Sequence, residues 1–125
     1  DPATLQHPRH PEIFALGDVC GTPNAKTAAA VRKQVVVVAE NLIALRKGAA
    51  LSKRYDGYGS CPLTVENGKV ILAEFGYGGK LLPTFPLDPT VARQSAWFLK
   101  ASFLPWFYWQ GMLKGREWFT DCSGN

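Results

Sequence analysis

The sequence predicts an α+β fold in which a short strand feeds a long helix, a β-hairpin follows, and two amphipathic helices close the chain. Three observations carry this reading. Apolar residues recur at three- and four-residue steps from Ala28 to Ile43. Asn67-Gly68 separates two apolar runs in the way a tight hairpin turn requires. All four tryptophans lie between positions 97 and 119, in a stretch divided by Pro105.

Asp1 to Glu12 carries three prolines and no period, so an irregular or extended lead-in is expected. Ile13 to Leu16 reads as a short buried strand that stops at Gly17-Asp18. After a loop, VCGTPNA, a helix is predicted from about Lys26 to Lys47, with Ala28, Val31, Val35, Val38, Leu42 and Ile43 on its apolar face. Arg46-Lys47 before Gly48 suits its end, placing positive charge at the negative pole of the helix dipole. The run CPLTV-ENG-KVILAEF predicts the hairpin, with positive φ at both Asn67 and Gly68 and with Glu66 opposite Lys69. GYGGKLLPTFP is a connection. Asp88-Pro89 then reads as the opening of a helix running to about Ser102, and Pro105 as the start of another ending near Gly115.

The 125 residues suit one modest domain or a piece of a longer protein. The long helix has little predicted beside it to cover both faces, and the first residues read as a chain already under way, so a piece is expected. The net charge of +4 is scattered and gives no run that would track a phosphate backbone, which argues against nucleic acid. Three cysteines without a CxxC pair do not make a closed disulfide framework, and they suit a reduced setting. No apolar run approaches the roughly 20 residues that span a bilayer. His7 and His10 are spaced like ligands, but Pro8 and Pro11 deny them a helix, so no metal site is expected.

Two constellations have chemical content. In FALGDVCGTPNAKTAAAV, a strand end, a loop and a helix start meet. Asp18 suits ribose-like or ribitol hydroxyls, and Lys26 with the Thr27 and Ala28 amides suits developing negative charge. On spacing alone, the plainer reading is that Asp18 caps a turn and Lys26 is solvated. In YDGYGSCPLTV, Cys61 stands among glycines and before a proline, where a small molecule can approach, although a buried free thiol is the plain alternative. The aromatic stretch WFLKASFLPWFYWQGMLKGREWF, flanked by Lys100, Lys114 and Arg116, suits either a core or a membrane–water interface.

FALGDV followed by NAKTAAAV resembles the last flavin-contacting segment of flavoproteins with two dinucleotide-binding domains, the pyridine nucleotide-disulfide oxidoreductase superfamily. With YDGYGSCPL, VILAEF, PTFP and PWFYWQGMLKG added, the chain resembles the C-terminal portion of the sulfide:quinone oxidoreductases from about Thr4 to Lys114. The resemblance implies that 1–48 is the end of a Rossmann-like FAD domain, 49–88 a hairpin with a redox cysteine, and 89–125 a membrane and quinone region. It implies FAD contacts by Gly17, Asp18, Lys26, Thr27 and Ala28, and redox activity for Cys61. Phe85, Trp106, Phe107, Tyr108 and Trp109 become candidates for quinone or membrane contact. The glycine-rich pyrophosphate loop and a second redox cysteine are expected upstream.

Implied partners are sulfide, a quinone and a membrane surface, bound peripherally. The chain alone is expected to be inactive and free of FAD, and to self-associate through faces its missing domains would cover. Two rivals remain: an NADH:quinone oxidoreductase of the same superfamily, and a noncatalytic membrane-surface binding module.

Overall fold

Thr27 decides where the long helix begins. Its backbone is extended while its hydroxyl accepts from the Ala30 N–H, an N-cap that contributes about 1 kcal/mol. The computed structural model, which describes residues 1–84, 86 and 88–116, forms this helix, α1, over Ala28–Arg46. It ends as expected. Gly48 takes φ +67°, and the Ala49 and Gly48 N–H groups donate back to the Ala44 and Leu45 carbonyls.

The buried face of α1 is not the one its apolar period indicates. Ala30, Gln34, Val37 and Asn41 are buried, whereas Val35, Leu42 and Ile43 remain 40–48 % exposed. Two amides sit inside because each has backbone to serve: Gln34 accepts from the Gly17 N–H at 2.8 Å, and Asn41 bonds Thr4 and Lys53.

The strand expected at Ile13 to Leu16 does not form. Phe14 makes one antiparallel bridge with Gln6, supported by bonds from His7 N–H to Ile13 O and Ala15 N–H to Leu5 O. A ladder needs a neighbour along its whole length, and the prolines at 8 and 11 leave the facing segment too short to supply one. The lead-in is therefore folded back rather than free. Leu5, at φ +61°, drives its side chain into a core with Cys20, Ala30, Val37 and Tyr55.

The hairpin forms as read: β1 over Gly59–Glu66 and β2 over Lys69–Phe75 make a two-stranded sheet. Lys69 and Glu66 pair across the turn at 2.9 Å. Only Gly68 is left-handed, at φ +75°, so the turn is not the type with positive φ at both central residues.

The C-terminal helices depart from expectation at both their start and their break. Asp88 caps no helix. Its Oδ1 accepts from the N–H and hydroxyl of Thr90 in a closed turn, and Arg93 bridges to Val70 of β2. Helix α2, Gln94–Phe98, starts only after that bridge. Pro105 does not divide the segment. A π-turn over Leu99–Phe103 precedes α3, Leu104–Gln110, and the intervening residues keep right-handed helical geometry. The wider turn shifts the carbonyl pairing so that the N–H missing at Pro105 is accommodated.

The chain divides into two compact units. One holds Asp1–Ser60 and Phe75–Leu82, with the core just named. The other holds Cys61–Glu74 and the described residues from Pro83 to Arg116, with Val70 and Phe107 buried. Among the described residues no helix is long and apolar enough to cross a membrane.

Candidate functional site

In the first unit, the segment before α1 is built as a cradle of main-chain groups. Gly17 adopts φ +72°, a conformation that only glycine takes without strain, and its N–H is clamped by the buried Gln34. Gly17–Val19 forms a 3-10 turn with Asp18 exposed on it. Cys20, by contrast, is buried, with the Thr22 hydroxyl 3.3 Å from its sulfur.

Lys26, although exposed, is tied back onto its own loop. Its ammonium donates to the carbonyls of Cys20 and Thr22, both at 2.7 Å, which closes the loop and fixes the charge. One of its three donor hydrogens is left for a ligand. Next in the chain come the Thr27 cap and Ala28, which is exposed; the first turn of α1 carries no acidic side chain. Exposed carboxylate, anchored ammonium and uncompensated helix N-terminus form a donor and acceptor set for a polyhydroxylated ligand with an electron-rich edge.

The loop leading to the hairpin belongs to the same unit. Tyr55 is buried and its hydroxyl donates to the Tyr58 carbonyl at 2.6 Å. Burial, with Tyr77 and Asp56 nearby, pushes the Tyr55 hydroxyl well above the ordinary tyrosine range. Lys33 lies 4.3 Å from the centre of the Tyr58 ring and 3.5 Å from Asp56. The glycines of this loop answer to packing. A Cβ on Gly57, at φ +83°, would stand 2.4 Å from the Tyr77 ring, and one on Gly59 would stand 3.3 Å from Phe75 and 3.4 Å from the Thr27 hydroxyl.

In the second unit, Cys61 is half-buried on β1 and forms no disulfide among the described residues. Pro62 follows it, and the Pro62 carbonyl accepts from the Lys100 ammonium at 2.9 Å. Glu74, on β2, is 4 % exposed and accepts from both the N–H and the hydroxyl of Thr84. That contact ties β2 to the segment holding Phe85, which itself lies outside the described residues, as does Cys122.

The aromatic candidates separate by exposure. Trp106, Tyr108 and Trp109 are 46–63 % exposed, whereas Phe107 is buried and stacked on Phe103 at 5.8 Å. Sequence reasoning missed Gln34, Asn41, Glu74 and the internal use of Lys26 and Lys100. Nothing local announces these roles, because each partner lies in another segment or is a main-chain carbonyl.

The comparisons bear on what this arrangement serves. The chain is 44 % identical to the mitochondrial sulfide:quinone oxidoreductase of Dictyostelium discoideum over 95 % of its own length, and 42 % identical to that of Mus musculus over 92 %. The protein of the same name from Schizosaccharomyces pombe is 39 % identical over 95 %. By sequence, the chain belongs to the sulfide:quinone oxidoreductase family.

It spans about a quarter of the length of these sulfide:quinone oxidoreductases (26–27 %). No protein-family model matches it. Among solved structures, it is similar to a chain within the cryo-EM structure of the Tetrahymena thermophila mitochondrial ATP synthase. That match has a TM-score of 0.66 and 28 % identity, and covers 92 % of this chain and 25 % of that one.

Proposed function

We propose that the chain is the C-terminal part of a membrane-associated, FAD-dependent enzyme that oxidises sulfide to persulfide-level sulfur and reduces a quinone. The observation that carries this reading is Cys61: a half-buried thiol on a strand, in a chain 39–44 % identical to three sulfide:quinone oxidoreductases.

The residues before α1 fit a flavin. Asp18 would accept from ribitol hydroxyls, and Thr27 and Ala28 at the α1 N-terminus would offer main-chain N–H groups to the flavin. Lys26, fixed by two carbonyls, offsets negative charge at low reorganisation cost. Bound FAD would supply a two-electron acceptor. Gly17 and Gln34 keep the Asp18 turn in place through a buried hydrogen bond.

Cys61 enters the reaction as half of a disulfide whose other cysteine lies in the length of the relatives that this chain does not span. Hydrosulfide attacks one sulfur of that bridge. A new S–S bond forms to give a persulfide, the old S–S bond breaks, and the second cysteine leaves as a thiolate carrying the electron pair. That pair would be available to a bound flavin, with a quinone as the final acceptor. Phe85, Trp106, Tyr108 and Trp109 serve the quinone and membrane side, and buried Phe107 holds the aromatic helix together.

The test is steady-state quinone reduction by the full-length, flavin-loaded protein. Cys61→Ser should abolish the sulfide-dependent rate while leaving the flavin spectrum intact. Sulfide turnover unchanged in that variant contradicts the proposal, and NADH-driven turnover independent of Cys61 would favour an NADH:quinone oxidoreductase. A second reading, a noncatalytic membrane-surface module, draws on the structural likeness to a chain within an ATP synthase assembly. Liposome binding by a full-length protein with neither flavin nor sulfide activity would favour it.

A further inference from the structure

We infer that Lys100 is a positioning residue for Cys61, and that its charge is used inside the protein rather than at a lipid headgroup. The inference rests on the reading of Cys61 as a redox thiol.

Lys100 sits in the π-turn Leu99–Phe103, within the helical segment that carries the exposed aromatics. Its ammonium donates to the Pro62 carbonyl at 2.9 Å and to the Thr64 hydroxyl at 2.8 Å. Both acceptors lie on β1, one and three residues after Cys61, and all four residues belong to the same compact unit. Lys100 is half-buried, and its bond to the Pro62 carbonyl is partly shielded from competing water.

β1 has particular need of such a tie. Among the described residues it pairs with β2 alone, and Leu63 to Glu66 are exposed. Pro62 has no N–H for a ladder, so the carbonyl is its only main-chain hydrogen-bonding group. A charge-assisted bond to that carbonyl fixes the peptide one residue beyond the cysteine. The proline ring limits rotation on its other side. Together they set the direction of the Cys61 side chain, which an in-line thiol–disulfide exchange demands. π-turns inside helices recur at functional sites, and here the turn carries the residue that reaches the strand.

The experiment separates the two half-reactions of the full-length, flavin-loaded protein. Sulfide is mixed anaerobically and flavin bleaching is followed; reduced protein is then mixed with a short-chain benzoquinone and reoxidation is followed. Lys100→Met should slow bleaching by about ten- to a hundredfold, the loss expected when a reacting group is misplaced by a fraction of an ångström to an ångström. Reoxidation should stay within about twofold of wild type. Lys100→Arg, which keeps charge and donors, should recover most of the bleaching rate.

Wild-type bleaching in Lys100→Met, equal slowing of both half-reactions, or a defect confined to liposome binding would each overturn the inference. Cys61→Ser run alongside keeps the two claims apart. Bleaching at the wild-type rate in that variant means the redox reading itself has failed. Its loss there, with Lys100→Met unaffected, means that only the positioning role has.

Discussion

Asn41 and Lys53 exchange two hydrogen bonds: the Asn41 amide donates to the Lys53 carbonyl at 2.9 Å and its Oδ1 accepts from the Lys53 N–H at 3.1 Å. The same amide reaches the Thr4 carbonyl at 3.2 Å. One wholly buried side chain thus joins the lead-in, α1 and the loop toward the hairpin. Asn41→Leu matches the volume but leaves Thr4 and Lys53 unpaired, and should cost about 2–4 kcal/mol. Urea denaturation followed by far-ultraviolet circular dichroism, which reports the unfolding of α1, measures this. A loss below about 0.5 kcal/mol would show that these groups find other partners.

Alkaline pH should weaken the first unit in a definable window. Burial, first among the causes, raises both Tyr55 and Tyr77 above the ordinary tyrosine pKa of about 10. The folded chain therefore holds these protons more tightly than the unfolded one. Their stabilisation is complete below pH 10 and declines as pH rises beyond it. Denaturation midpoints from pH 8 to 11.5, with tyrosinate absorbance read in parallel, should show that decline. Tyr55→Phe should flatten it. The same slope in wild type and variant would contradict this assignment.

The exposed indoles should carry membrane affinity without carrying the fold. Trp106 and Trp109 are 54 % and 63 % exposed, whereas Phe107 between them is 2 % exposed. Replacing both tryptophans by serine should reduce partitioning onto anionic liposomes by about tenfold or more, with little change in unfolding midpoint. Phe107→Ala should instead cost about 3–5 kcal/mol of stability. Unchanged vesicle sedimentation in the double variant would remove the aromatic face from the membrane account.

The sequence was readable where structure is set locally. The Gly48 terminus of α1 and the Glu66–Lys69 pair around Asn67-Gly68 each involve residues a few positions apart. It was misleading where distant partners decide. Ile13 to Leu16 has strand chemistry but, among the described residues, a single bridge to Gln6, and Val35, Leu42 and Ile43 of α1 stay exposed while Gln34 and Asn41 lie inside on main-chain partners. Asp88 looked like a cap, yet its carboxylate is closed on Thr90 and the chain beyond it first bridges to β2. At the candidate site, residue types were legible and attachments were not. Lys26 suited a solvated or flavin-facing cation and Lys100 a cation at a membrane interface, and both are anchored on main-chain carbonyls.

The role of Cys61 can be read from its covalent state in the full-length protein. Trypsin cleavage after Arg54 and Lys69 isolates it in the peptide 55–69, whose mass reports what the sulfur is bonded to. In oxidised protein, that peptide should be recovered cross-linked to a second cysteine peptide. After anaerobic sulfide and rapid alkylation, it should appear as a free thiol or carry one extra sulfur. Recovery of Cys61 as the same unmodified, alkylatable thiol under both conditions would contradict the account.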